Sequence, residues 1–283
     1  MKSHFRYPVF SFAPVILSIG LSLAAVAILY SPAPGAQIRR PHRPPSARGV
    51  PAAPVEVVMP FRVGEKLDYR IAWSGFNNAA SLELSIPERR EIYGWNTWHF
   101  SAAFHTVRSV RALFQIDDQF DSYTDAATLE CRQFEMYTSE LGKTETKILH
   151  LIAKGQPLRG PGPFVIVLPG TRDPLGTLFT LRAADWQRTP ELHIPAYDGE
   201  TLYQVVARLE ATSDEVQVDA GSFNASRVSI EVLPTANDET GLHFTVWYAN
   251  DAAHTPVSMF ANLPFGNLRV ELTTANSGQS AAQ

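Results

Sequence analysis

Gly64-Glu-Lys-Leu-Asp-Tyr-Arg-Ile-Ala-Trp-Ser-Gly-Phe-Asn-Asn-Ala-Ala-Ser-Leu-Glu-Leu-Ser-Ile86 decides the fold class. Leu67, Tyr69, Ile71 and Trp73 fall at every second position, the period of a strand with one buried face. Ser74–Asn78 turns the chain, and Ala80, Leu82, Leu84 and Ile86 repeat the pattern on the way back, so the segment reads as a hairpin. The alternation continues at Trp98, Phe100 and Ala102, at Ile116 and Phe120, and through Thr144–Ile152. Leu129 and Cys131 share one parity but Phe134 and Met136 take the other, which predicts a bulge or break near Gln133. Thr144–Ile152 becomes apolar on both sides and reads as a central strand, followed by a long connection over Gly155–Gly170.

Further along, Asp198-Gly199 separates Leu192–Ala196 from Thr201–Glu210, a strong short hairpin signal. Val216–Asp219 and Phe223–Val232 pair about Ala220-Gly221, and Leu242–Tyr248, Val257–Met259 and Leu268–Leu272 complete the set. About ten to twelve strands make a mainly β chain, a large curved antiparallel sheet forming a partly open or closed barrel. The one main helix expected against it is Gly170–Arg182. There Asp173 caps the N-terminus, Pro174 fits the first helical position, and Leu175, Leu178, Phe179 and Leu181 make an apolar face. His105–Phe114 fits a second short helix or a bent loop.

Outside this region the composition changes. Lys2, His4 and Arg6 precede an uncharged apolar stretch, Val9–Tyr30, long enough to cross a hydrocarbon core of about 30 Å and longer than the roughly 7–15 residues of a signal-peptide apolar region. Residues 1–30 are therefore expected to be a membrane anchor or an export signal, with Gly35 or Ala36 as a cleavage point. Both readings carry the remainder of the chain across the membrane, because the positive flank stays inside. Residues 31–57, rich in Pro and Arg, read as an extended linker; 58–274 is the β domain; 275–283 reads as a disordered tail.

Of the 283 residues, the first 56 hold six Lys or Arg and one acid, so the net charge of −4 leaves −9 on the remainder. That balance opposes general phosphate-backbone binding, and no nucleic-acid partner is expected. The single cysteine, Cys131, allows no intrachain disulfide and does not follow the apolar stretch, as a lipid attachment would require. The short motifs of zinc hydrolases, dithiol redox proteins, P-loop enzymes and esterases do not occur. Asp117, Asp118, Asp121 and Asp125 lack the glycine and terminal glutamate of a calcium loop, and His105, His150, His193, His243 and His254 are scattered. Neither a metal nor a cofactor is expected.

Several segments carry a family resemblance: Phe61-Arg-Val-Gly-Glu-Lys-Leu-Asp-Tyr69, Asp117–Asp125, Gly170–Pro174 with Leu181-Arg182, Ala220–Phe223, and Val246-Trp247 with Asp251 and Pro256-Val257. Over about Pro60–Thr273 the chain resembles the DUF3108 domain of exported bacterial proteins. The resemblance implies a β-rich protein of the periplasm or cell envelope and supplies no catalytic residues.

Two sets of residues are candidates for a site. Arg172 and Arg182 either pair with sheet carboxylates such as Asp125 or Asp251, fixing helix to sheet, or meet an anionic ligand at a cavity rim. Trp73, Trp98, Phe100, Phe179 and Trp247, with Phe114 and Phe120, either line a cavity or fill a core. The expected function is non-catalytic binding of an apolar or lipid-like ligand, or of an envelope protein, within the curved sheet. A structural or assembly role without cargo and an envelope glycan hydrolase are the alternatives, the last requiring paired carboxylates in a polar cleft.

Overall fold

The computed structural model describes residues 58–236, 241–263 and 266–277. The expected leader, the Pro-rich linker and residues 278–283 of the tail lie outside them. Alternation produces thirteen strands and two helices among the described residues. In chain order they are β1 (Lys66–Trp73), β2 (Phe76–Ile92), β3 (Trp95–Thr106), α1 (Arg108–Arg111), β4 (Asp117–Asp125), β5 (Cys131–Glu140), β6 (Lys143–Ala153) and β7 (Phe164–Val167). There follow α2 (Pro174–Arg182), β8 (Glu191–Tyr197), β9 (Leu202–Val218), β10 (Gly221–Pro234), β11 (Leu242–Ala249), β12 (Pro256–Leu263) and β13 (Gly266–Asn276).

All thirteen belong to one curved sheet, in the order β7-β6-β5-β4-β3-β2-β1-β13-β12-β11-β10-β9-β8. Sequence neighbours pair antiparallel, except that β7 lies parallel to β6 and does not pair with β8; β1 and β13 join the two halves, with Lys66 opposite Asn276. The edges β7 and β8 are left unjoined, and the segment before α2 spans part of the gap. The Arg172 N–H donates to Pro195 O at 2.9 Å, Tyr197 N–H to Arg172 O at 2.8 Å, and Cys131 N–H to Thr171 O at 3.3 Å. Above this seam Lys147 Nζ donates to Gly199 O at 3.0 Å. Gly199 has φ +108°, and a Cβ there would come within 2.9 Å of Leu149, so only glycine fits the turn against β6.

Several details differ from the sequence reading. Thr201–Glu210 and Val216–Asp219 are parts of one strand, β9. The long connection contains β7, which makes β6 the penultimate strand rather than a central one. Its second apolar side is covered locally: His150 packs between Tyr93 and Phe164, at ring separations of 5.7 and 6.4 Å. The bulge expected near Gln133 is present: Tyr123 pairs with Gln133 and Thr124 with Cys131, which leaves Arg132 as the extra residue, and Leu129 just before it has φ +57°. Ala275 and Asn276, expected in the tail, pair with Leu67 and Lys66.

Inward residues form two apolar clusters, and α2 contributes to both. Leu175 and Phe179 join the larger cluster and Leu181 the smaller one. The helix starts as its sequence dictates: Asp173 Oδ1 accepts from Gly176 N–H at 2.9 Å, and Pro174 occupies the first turn without leaving a donor unpaired.

Candidate functional site

The two halves of the interior are filled differently on either side of α2. On the β2–β4 side, Phe179 stacks on Phe100 at 3.8 Å, and Phe61 stands edge-on to Phe100, Phe179 and Trp98 at 5.2–5.5 Å. Trp98, Phe100 and Phe179 are therefore packed core. Trp73 stacks against Phe76 and meets Phe114 edge-on near the β1–β2 turn.

On the other side a cavity of about 160 Å³ remains between α2 and strands β8–β13, reaching β1 and β2. Leu175, Leu178 and Leu181 form its helical wall, facing Val205, Ile230 and Val246 among others. Polar groups in the lining are turned to their own partners. Tyr69 Oη donates to Pro256 O at 2.8 Å, Tyr203 Oη to Asp198 Oδ2 at 3.2 Å, and Thr177 Oγ1 to Asp173 O at 2.9 Å. An apolar void of this size admits a ring, and it is smaller than the ~300–1,000 Å³ of pockets for drug-sized ligands. None of Trp73, Trp98, Phe100, Phe179 and Trp247 lines it; Trp247 lies in a separate outer groove.

Neither candidate arginine lines this cavity. Arg182 is 1% exposed and forms a two-pronged ion pair with Glu65, Nη1 to Oε1 and Nη2 to Oε2, the latter at 3.1 Å. Its Nε donates to Ala253 O at 2.9 Å. Arg172 donates to Gly170 O, to Thr128 O at 2.6 Å and to Thr180 Oγ1 at 3.2 Å; burial pulls its pKa down. The expected pairing with Asp125 or Asp251 is thus replaced by Glu65 for Arg182 and by carbonyls and a hydroxyl for Arg172.

Asp125 instead organises its own turn, accepting from Ala127 and Thr128 N–H, and binds Arg132 at 3.2 Å. Asp251 accepts from Ala253 N–H. Glu65 was missed, although the sequence carried a signal. It shares the inward parity of Leu67, Tyr69 and Ile71, and a buried carboxylate needs a buried cation.

Other interior carboxylates are likewise engaged. Asp173 is fully buried, and burial raises its pKa against the opposing bonds from Ser122 and Gly176. Asp198, on the cavity wall, is also raised by burial while accepting from Glu200 and Thr201 N–H. Burial of the Cys131 thiol holds its pKa well above the ordinary range, which removes nucleophilic character. The Asp117–Asp125 run is split by the strand: Asp117 binds Arg111 at 2.6 Å, Asp121 binds His99 at 2.8 Å, and Asp118 points inward. Among the described residues no group of three or more His, Cys, Asp or Glu is suited to a metal, and no helix is long and apolar enough to cross a membrane.

Among curated proteins none matches this chain. It is similar to solved structures at low identity. A beta-barrel-like protein with a domain of unknown function, DUF1849, from Brucella abortus has 11% identity and a TM-score of 0.48, over 77% of this chain and 98% of that one. A candidate lipoprotein from Parabacteroides distasonis gives 11%, 0.38 and the same coverage; a candidate exported protein with YmcC-like fold from Bacteroides fragilis gives 13%, 0.32 and again that coverage. A family profile described as a protein of unknown function, DUF3108, matches residues 68–273, and the chain belongs to the DUF3108 family.

Proposed function

We propose that the domain is a non-catalytic binding protein of the cell envelope whose ligand inserts a small, uncharged apolar group beneath α2. The supporting observation is the apolar cavity of about 160 Å³ between α2 and β8–β13. Among the described residues its border carries the Asp198 carboxylate and no guanidinium, which favours a neutral group over an anionic headgroup. Its volume suits a ring or the end of an acyl chain rather than a whole lipid.

The test is thermal unfolding of the full chain with n-butylbenzene and, separately, with 4-phenylbutyrate. Butylbenzene should raise Tm with concentration, as any ligand of the native state does, while the carboxylate analogue leaves it unchanged. Val232→Phe, at a partly exposed position of the lining, should abolish the shift. No shift with butylbenzene rejects the cavity as a binding site, and equal shifts with both compounds reject the preference for neutral groups.

The reading includes export, supported by Lys2, Arg6 and the uncharged stretch Val9–Tyr30. Alkaline phosphatase fused after Gln283 should be active, and an inactive fusion at equal expression rejects an envelope location.

A further inference from the structure

The β9–β10 hairpin is longer than the sheet beneath it needs. Register shifts at Ala225, Arg227 and Val228 bend it, and its tip returns to the far strands, where Ala220 N–H donates to Leu272 O and Arg70 binds Asp219 at 2.7 Å. Beneath this arm Arg227, Trp247, Ser258 and Glu271 stand directly opposite one another across β10, β11, β12 and β13. The arm, Ser213–Val218, forms the other wall of a polar groove of about 610 Å³. In volume it falls within the ~300–1,000 Å³ range of ligand sites.

We propose that this groove binds the ring of a neutral sugar. Its charges are already matched to one another. Asp214 Oδ2 accepts from the Trp247 indole N–H at 3.0 Å and lies 3.4 Å from Arg227 Nη1, while Glu271 binds Arg70 at 2.8 Å and Arg269 at 3.3 Å. A cation would have to displace an arginine from one of these carboxylates. Among the described residues an anion would face three lining carboxylates, Asp214, Glu215 and Glu271, against the guanidinium of Arg227. Sugar hydroxyls ask for neither: each can donate to a remaining carboxylate lone pair and accept from a guanidinium or amide N–H. The C–H face of the ring would pack against the partly exposed Trp247 side chain, which lines the groove. Glu215 and Gln217, both exposed on the arm, add an acceptor and a two-way amide. The site is separate from the cavity under α2, with only Ser258 lining both.

The test titrates the full chain with maltotriose and with tri-N-acetylchitotriose, following the indole N–H signals by NMR. The two arms distinguish a glucan from an amino-sugar polymer. Saturable binding of at least one trisaccharide is expected, with the Trp247 signal, assigned through Trp247→Phe, among those that move. Trp247→Ala should weaken binding about tenfold or more. Gln217→Trp, at an exposed position, should block the groove without disturbing the core, so a misfolded Trp247→Ala does not rescue the proposal. No saturation with either sugar by about 10 mM, where even millimolar affinity would show, overturns it. So does unchanged affinity in Gln217→Trp.

Discussion

The two sides of α2 bury the same kind of surface and reach different packing. Toward β2–β4, Phe61, Trp98, Phe100 and Phe179 interlock ring against ring. Toward β9–β12, the partners are branched aliphatic side chains such as Val205, Ile230 and Val246, and about 160 Å³ is left over. Ring-on-ring contacts fill the first half, whereas the second keeps a void although Tyr69, Tyr203 and Phe244 also line it, so how side chains interlock, and not their size or hydrophobicity alone, separates the two.

The contrast can be broken most severely at the ion pair that pins α2 between the halves. Arg182→Leu strands the buried Glu65 carboxylate and should cost about 3–5 kcal/mol in urea unfolding. A loss below about 1 kcal/mol, the worth of an exposed pair, would mean that Glu65 is effectively solvated.

The solid half has its own weak point in Asp118. Burial pushes its pKa to about 6 from an ordinary 3.8, so the folded protein holds this proton more tightly than the unfolded chain. Its contribution is favourable below pH ~4 and is lost as pH rises through ~6, for a change of about 2–3 kcal/mol. Asp118→Asn should remove that slope and stabilise the protein at pH 8. Unfolding curves for both proteins at pH 5 and pH 8 check this, and a parallel loss in the two would place the slope elsewhere.

Filling substitutions sharpen the comparison at its smallest scale. Ala102→Val, in the ring-packed half, should overpack and cost about 1–3 kcal/mol, while Val246→Ile projects one methylene into the void and should gain up to about 0.8 kcal/mol. Equal losses at the two positions would mean that the cavity collapses in solution.

Much of this architecture was legible in the sequence. Local signals sufficed wherever a local cause acts: the period of two in β1 and β2, Asp198-Gly199 at the hairpin, and Asp173-Pro174 opening α2. β7 escaped because Phe164–Val167 has no alternation and pairs in parallel, which no turn signal announces. The partner of Arg182 escaped because Glu65 lies 117 positions away, and only the assembled sheet brings them together. The aromatic residues were correctly legible as inward-facing at Trp98, Phe100 and Phe179, but periodicity says nothing about whether inward space is full. Trp247 follows parity, facing the side opposite Val246, but the arm it lies beneath could not be read, because its bend depends on register shifts.

The pairing of β1 with β13 has a consequence for how the chain can be rearranged. Lys66 and Asn276 lie side by side, and nearly every other ladder joins strands adjacent in sequence. Each half is thus a continuous meander with short-range contacts, and this one ladder supplies the long loop closure. Joining residue 277 to residue 58 by a short linker, which keeps Phe61 and Glu65, and opening new termini between α2 and β8 at Asp185–Thr189 would make that ladder local and leave every other ladder between sequence neighbours. Such a circular permutant should retain all thirteen strands and fold faster than the natural connectivity.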